Sequence, residues 1–155
     1  LLGGSERVIL LRTFSRAFSM AGVRLGYALC TPALGGEFQK ATTVFTLNLF
    51  AETVATVALE NEPYFQAQVA RIVAERQAFA LALATIPGVV VLPSNANFVL
   101  IRLDRPARPL AQQLLARERL LVGALGEPGM EHYLRISVGT APQNDALVAA
   151  LHRYV

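Results

Sequence analysis

Residues 12–27, RTFSRAFSMAGVRLGY, are the most informative segment of this chain. They predict a strand that ends in hydroxyl side chains, a turn of small residues, and a second strand that carries an arginine and a glycine. Thr13 and Ser15 supply hydroxyls and Arg24 supplies a rigid fork of N–H donors, so together they could hold a phosphate. An ordinary strand–turn–strand with an exposed arginine is the alternative, and the residues alone leave both interpretations open.

The sequence predicts six strands and five helices along the chain. Apolar runs and period-two alternation predict strands at 8–11, 23–30, 89–92, 98–103, 120–122 and 133–138. Helical spacing, helped by Pro63 at a helix start and a capping box of Thr140 and Gln143, predicts helices at 32–40, 50–60, 63–85, 110–119 and 140–153. The order β-β-α-α-α-β-β-α-β-β-α indicates an α/β or α+β protein.

Composition narrows the classes of protein to which this chain can belong. The chain has 155 residues, 54% of them hydrophobic and 16% charged, whereas a soluble domain has about 25% charged residues. The high apolar content and low charged content exclude intrinsic disorder. The apolar excess also predicts that a partner subunit or further chain covers part of the surface. The net charge of +3 comes from scattered arginines, so we expect no nucleic-acid partner. The apolar stretch 78–92 is too short for a membrane span, and the single Cys30 favours a reducing, cytoplasmic compartment.

Residues 12–27 resemble the pyridoxal-phosphate attachment segment of fold-type I (class I/II) aminotransferases, T-[FL]-S-K-A-F-x-L-A-G-x-R-x-G-Y. The closest resemblance is to the histidinol-phosphate aminotransferase family. Two later segments resemble the same family: SNANFV at 94–99, which contains the Asn97-Phe98 pair, and YLRISVGT at 133–140. The resemblance extends over essentially the whole chain but only the C-terminal part of the family's fold. It implies an α/β PLP-dependent transferase fold in which 1–62 end the large domain, 63–86 form a connecting helix, and 87–155 form a small αβ domain.

The resemblance implies a role for five residues. Thr13, Ser15 and Arg24 match the groups that bind the cofactor phosphate. Arg135 matches the arginine that binds the substrate α-carboxylate; the alternative for Arg135 is a cross-strand salt bridge. Arg16 occupies the position of the family's catalytic Schiff-base lysine. Because arginine stays protonated and is a poor nucleophile, we expect Arg16 to be inactive and pyridoxal 5'-phosphate to be held non-covalently at best.

No other residue is expected to replace the missing amine, and two further departures from the family accompany Arg16. Lys40 is the only lysine, and nothing in the sequence places it near the cofactor. Gly123 stands where related sequences often carry an arginine suited to a substrate phosphate, which disfavours histidinol phosphate as substrate. The chain also lacks the family's upstream region, with its aspartate for the pyridine nitrogen, its ring-stacking residue and its glycine-rich turn.

The resemblance implies a cytoplasmic, homodimeric aminotransferase of amino-acid (histidine) biosynthesis, which transfers an amino group from an amino-acid substrate to the 2-oxo acid 2-oxoglutarate. Arg16 and the missing region leave two alternatives open. One is a non-catalytic remnant or binding fragment with the same fold, and the other is a PLP lyase or decarboxylase on the same scaffold.

The remaining candidate residues predict structural roles. His132 and His152 have no metal-ligand spacing, so we expect surface or packing roles and no metal. We expect Cys30 to be a core residue, and Asn48 to lie in a loop near the dimer interface, as in the family. The aromatic residues Phe45, Phe50, Tyr64 and Phe65 are predicted to be core or interface residues rather than a base-stacking platform.

Overall fold

The computed structural model describes residues 7–43 and 46–155, so Phe45 lies outside the described residues. The strands are β1 (Leu10–Thr13), β2 (Gly26–Leu29), β3 (Val89–Leu92), β4 (Phe98–Leu103), β5 (Gly123–Ala124) and β6 (Tyr133–Ser137). The helices are α1 (Pro32–Ala41), α2 (Leu49–Glu60), α3 (Glu62–Leu83), α4 (Ala107–Glu118) and α5 (Ala141–Tyr154), with a 3-10 turn at Ala21–Val23. This order of strands and helices is the predicted one. Within the described residues, no helix has both the length and the apolarity needed to cross a membrane.

The chain divides into two compact units, one ending at Val69 and one beginning at Ala70. In the first unit, β1 and β2 form an antiparallel hairpin whose paired residues run from Leu10 with Leu29 to Thr13 with Gly26. Gly26 is required there because a Cβ at this position would lie 2.7 Å from the Arg12 carbonyl oxygen.

The strands of this hairpin differ from their predicted bounds. The strand predicted at 8–11 is formed by Leu10–Thr13, and the strand predicted at 23–30 is formed only by Gly26–Leu29. The apolar run 8–11 predicts a buried strand, but β1 is half-buried only at Leu10 and is otherwise exposed, and every residue of β2 is exposed. Hydrogen-bond pairing therefore sets these bounds, and the edges of the apolar run do not.

The helices of the first unit begin where the sequence provides N-terminal signals. Pro32 starts α1, which suits proline's fixed φ. Asn48 is the N-cap of α2, and its Oδ1 accepts a hydrogen bond from the Ala51 N–H at 2.8 Å.

The second unit is a four-stranded antiparallel sheet in the order β3-β4-β6-β5. Alternate residues of β4 and β6 are fully buried: Val99, Ile101, Leu103, Leu134 and Ile136. They form one core with apolar residues of α3, α4 and α5, among them Leu83, Leu114 and Leu151. The other face of β4 and β6 carries Phe98, Leu100, Arg102, Tyr133, Arg135 and Ser137, all half-buried or exposed. The predicted bounds of β3 and β4 are confirmed, and so is the capping box that begins α5.

The strand predicted at 120–122 is wrong. Arg119 adopts a left-handed conformation that ends α4, and the Leu120 N–H donates to the Leu114 carbonyl at 3.2 Å. Leu120 therefore belongs to the end of the helix. Strand pairing begins only at Gly123, opposite Arg135.

Candidate functional site

The loop between β1 and β2 is closed by backbone hydrogen bonds around Phe14. The Phe14 N–H donates to the Leu25 carbonyl at 3.1 Å, and the Phe14 carbonyl accepts from the Met20 N–H at 3.0 Å. Phe14 is 3% exposed. The centroid of its ring lies 4.7 Å from that of Phe18 and 5.8 Å from that of Tyr27. The loop therefore has its own aromatic anchor, which holds the segment singled out by the sequence.

Thr13 and Ser15 meet at the start of this loop. The Thr13 Oγ1 accepts a hydrogen bond from the Ser15 N–H at 3.0 Å. Since a hydroxyl can accept and donate at once, the O–H of Thr13 keeps its proton available for an anion. Thr13 is exposed and Ser15 is half-buried, so a ligand can reach both hydroxyls.

Arg24 is placed differently from the prediction. It follows the 3-10 turn in a left-handed conformation with φ 58°, outside the strand where the alternation had put it. Its Nη1 donates to the Ala21 carbonyl at 2.9 Å. Arginine has five N–H groups, so four remain for another acceptor. The Phe14–Leu25 hydrogen bond brings the Arg24 backbone to the same end of the hairpin as Ser15, and a phosphate bound by all three side chains remains a prediction.

Arg16 lies exposed in the same loop, and its carbonyl accepts a hydrogen bond from the Ser19 N–H at 2.9 Å. Its guanidinium has no partner within the described part of the chain. Lys40 lies on α1, where its Nζ is 2.6 Å from the Glu37 carboxylate. The only lysine is therefore engaged within its own helix, outside the 12–27 loop.

Arg135 is the candidate carboxylate-binding residue and lies in the middle of β6. Its strand partners are Leu100 on β4 and Gly123 on β5. Its guanidinium carbon lies 4.1 Å from the centroid of the Phe98 ring. Among residues 7–43 and 46–155 no carboxylate pairs with Arg135, so the cross-strand salt bridge offered as the alternative does not form.

Gly123 provides no cation beside Arg135. A Cβ at position 123 would lie 3.4 Å from the Arg135 carbonyl oxygen and 3.9 Å from its Cβ, which is ordinary packing distance. The Cβ of an alanine would therefore fit at this position. The glycine leaves one side of the Arg135 side chain open.

The two histidines have the surroundings expected of packing or surface residues. His132 is half-buried with Nδ1 3.2 Å from the Leu103 carbonyl oxygen, and the exposed His152 has Nε2 3.5 Å from the Thr85 hydroxyl. Cys30 is half-buried and is not among the buried core residues, so the prediction of a core position is wrong. The described residues contain no cluster of three or more His, Cys, Asp or Glu that could hold a metal.

The predicted aromatic residues divide into two groups. The rings of Phe65 and Phe18 are in tilted contact, with their centroids 4.7 Å apart. Phe50 and Tyr64 are exposed, so they are not core residues, and an interface remains the prediction for them.

Two arrangements were missed from the sequence. One is the stacking of Arg135 on Phe98, and the other is the buried Asn144, whose Oδ1 accepts from the Gly139 N–H at 2.9 Å. The signal for Asn144 was a polar residue on the inner side of a helix, directly after a capping box. No comparable signal existed for the stacking, because it depends on strand register.

Known proteins are similar to this chain in sequence and in fold. The family model described as aminotransferase class I and II matches residues 1–151. Histidinol-phosphate aminotransferases of Deinococcus radiodurans and Roseiflexus castenholzii are each 38% identical over 97% of this chain and 42% of their own length.

Solved structures that are similar to this chain include an aminotransferase and a decarboxylase. The histidinol-phosphate aminotransferase of Sinorhizobium meliloti, in complex with pyridoxal-5'-phosphate, is 30% identical, with a TM-score of 0.83 over 98% of this chain and 42% of that one. The L-threonine-O-3-phosphate decarboxylase of Porphyromonas gingivalis has a TM-score of 0.87 over 99% of this chain and 48% of that one. At 24% identity it shows the fold alone. The chain spans about two fifths of the length of the curated relatives it matches.

Proposed function

The chain belongs to the class I and II aminotransferases, and from this membership we propose that it forms the phosphate-binding loop and the carboxylate-binding arginine of a PLP-dependent aminotransferase of the histidinol-phosphate type. The proposed reaction transfers an amino group from an amino acid to 2-oxoglutarate. One observation supports the proposal: the hairpin brings the backbones of Thr13, Ser15 and Arg24 to one end, in a loop closed around Phe14.

The chemistry of this loop fits the phosphate ester of pyridoxal phosphate. Residues 12–27 contain three arginines and no carboxylate, so the segment attracts a dianion and offers it no competing negative charge. The Thr13 hydroxyl retains its proton, and Arg24 uses one N–H on the Ala21 carbonyl. A charge-assisted hydrogen bond from arginine to phosphate is about twice as strong as a neutral one.

In the proposed reaction the chain's residues bind and orient the cofactor and the substrate. When bound, pyridoxal phosphate supplies an electron sink for negative charge at the substrate α-carbon. Thr13, Ser15 and Arg24 would hold its phosphate. The Arg135 guanidinium would bind the α-carboxylate through two parallel N–H bonds. Because Gly123 adds no second cation, we propose a carboxylate rather than a phosphate ester as the ligand of Arg135.

Arg16 does not fit covalent attachment of the cofactor, because its guanidinium is a poor nucleophile. This residue favours a second candidate function, in which the chain binds pyridoxal phosphate without catalysing transfer. Both candidates share the same phosphate site and differ in whether chemistry follows binding.

We also propose the assembly and domain organisation implied by the sequence. A homodimer would cover exposed apolar side chains such as Leu49 and Phe50, and the lone Cys30 suits the cytoplasm. The ranges 1–62, 63–86 and 87–155 stay as proposed parts of a large domain, a connecting helix and a small domain. The observed α3, Glu62–Leu83, supports the middle range.

Titration with pyridoxal phosphate and with unphosphorylated pyridoxal, followed by borohydride and peptide mass mapping, tests the proposal. We expect the phosphate ester to bind more tightly than pyridoxal and no adduct to form at residue 16. Arg24→Gln should weaken binding of the ester by about 10-fold or more, since a hydrogen bond to a charged group contributes roughly 1.5–3 kcal/mol. Arg16→Lys should produce a borohydride-fixed adduct at residue 16.

A Lys40→Arg background serves as the control, because it removes the only native lysine side chain and with it non-specific adducts. Equal affinity for pyridoxal and its phosphate ester, or an Arg24→Gln variant that binds as the wild type does, would contradict the phosphate site. If the phosphate site holds, amino transfer by Arg16→Lys but not by the wild type would select the non-catalytic function for the natural chain.

A further inference from the structure

Arg135 and Phe98 are diagonal neighbours on one face of the sheet. Phe98 is opposite Ser137 in the register of β4 with β6, and Arg135 is opposite Leu100. Diagonal neighbours across antiparallel strands lie within reach of aromatic and long side chains. The guanidinium carbon accordingly lies over the Phe98 ring, 4.1 Å from its centroid, within the range of a cation–π contact.

The Phe98 ring is the only group in the described part of the chain that holds this guanidinium. No hydrogen bond or ion pair to it forms among those residues. On the β5 side the partner is Gly123, which has no side chain to restrict Arg135. A guanidinium that stacks through its flat face keeps its N–H edge available for an acceptor.

We propose that Phe98 is a positioning residue, whose ring orients the Arg135 guanidinium to receive the carboxylate of an amino acid or 2-oxo acid. The inference rests on the proposed carboxylate-binding role of Arg135. A guanidinium that is already oriented loses less conformational freedom on binding, so the ring strengthens binding without touching the ligand.

A purely structural role for Phe98 has less support. The core residues of β4 are Val99, Ile101 and Leu103, which lie on the opposite face of the strand. Phe98 is only half-buried. Replacing its ring with leucine keeps an apolar side chain at this position and leaves the core residues in place.

NMR of the Arg135 side chain tests the inference on the full chain. The Arg135 Nε–H signal is assigned from its loss in Arg135→Lys and is followed as 2-oxoglutarate is added, with sodium chloride of equal ionic strength as the salt control. In the wild type we expect the Arg135 side-chain protons upfield of their ordinary position because of the ring current of Phe98, and a shift of Nε–H as the carboxylate binds.

Phe98→Leu should remove the upfield shift and weaken 2-oxoglutarate binding roughly 2- to 5-fold, in line with a cation–π contact at a partly exposed site. Phe98→Tyr keeps the ring and should restore both. Tyr133→Leu is the matched control: it removes an aromatic ring from the same sheet face that is not stacked on Arg135, and it should change neither.

The outcomes separate the two proposals. If 2-oxoglutarate does not perturb Arg135, the proposed role of Arg135 fails and the inference fails with it. If Arg135 responds but Phe98→Leu binds as tightly as the wild type, only the inference fails. Wild-type Arg135 protons at ordinary positions would also overturn the inference, and this measurement does not require any variant to fold.

Discussion

Removal of the Asn144 side chain should destabilise the second unit by a predictable amount. Asn144 is 6% exposed and connects the turn after β6 to the first turn of α5. Its Oδ1 accepts from the Gly139 N–H at 2.9 Å, and its Nδ2 donates to the Gly139 carbonyl at 3.2 Å and to a Glu75 carboxylate oxygen at 3.4 Å. One side chain therefore pairs both backbone groups of Gly139.

The expected loss for Asn144→Ala follows from these three bonds. A net hydrogen bond contributes about 0.5–1.5 kcal/mol. The two bonds to Gly139 together give roughly 2 kcal/mol, and the long bond to Glu75 adds little. Gly139 is half-buried, so water replaces part of what is lost. We therefore expect the free energy of unfolding to fall by about 1.5–2.5 kcal/mol, a change of roughly 10- to 60-fold in the unfolding equilibrium.

Hydrogen exchange in increasing urea, read from peptides covering β4 and β6, measures this free energy for the second unit alone. Asn95→Ala is the matched control, because Asn95 is exposed and its side chain makes no hydrogen bond to any residue that the structure describes. It should change the free energy by less than about 0.5 kcal/mol. If Asn144→Ala changes the free energy no more than the control does, the hydrogen bonds to Gly139 do not stabilise this turn.

Three further predictions concern the core, pH dependence and local stability. Leu83→Ala, at a fully buried position of α3, should cost about 2–5 kcal/mol in urea unfolding, whereas Leu81→Ala, 74% exposed on the same helix, should cost less than about 0.5; similar costs would contradict the assigned core. The pKa of Glu118 is lowered by the hydrogen bond that the Tyr154 hydroxyl donates at 2.7 Å, and next by Arg153. Because the pKa of Glu118 is lower in the folded chain than in the unfolded chain, Glu118→Gln should destabilise the chain at neutral pH. The difference in stability between the wild type and the variant should disappear as the pH falls through that lowered pKa. A difference independent of pH would refute this. Amides of β2 should exchange faster than those of β4, since a two-stranded hairpin with exposed strands is marginally stable; equal protection would refute this.

The sequence predicted the order of the elements and some of their bounds. β4 was predicted to the residue because an apolar run broken only by Arg102 fills 98–103 between the polar Asn97 and Asp104, and the fold buries every second residue of it. β1 was shifted because the apolar run 8–11 does not coincide with the hydrogen-bonded ladder, which includes the polar Arg12 and Thr13. Hydrophobicity thus located strands reliably where one face packs on a core, and poorly where the whole strand is exposed.

The site was predictable by residue but not by geometry. The chemistry of Thr13, Ser15 and Arg24 predicts a phosphate site, and the hairpin brings their backbones to one end. The left-handed conformation of Arg24 was not predictable, because single non-glycine residues adopt it only where surrounding contacts impose it. The stacking of Arg135 on Phe98 needed the register of two strands that are about 35 residues apart in sequence, and no local pattern encodes that register.

Arg16 argues for retained ligand binding more than for a loss of all function. A change from lysine to arginine at this position removes a nucleophile but keeps the positive charge of residues 12–27. The hydroxyls of Thr13 and Ser15 and the guanidinium of Arg24 do not depend on residue 16 for any hydrogen bond. A chain with arginine here therefore keeps a positive charge for an anion, and loses the two roles that need a free amine, covalent attachment and proton transfer. Attachment and phosphate affinity should consequently respond to different substitutions, attachment to Arg16→Lys and affinity to Arg24→Gln.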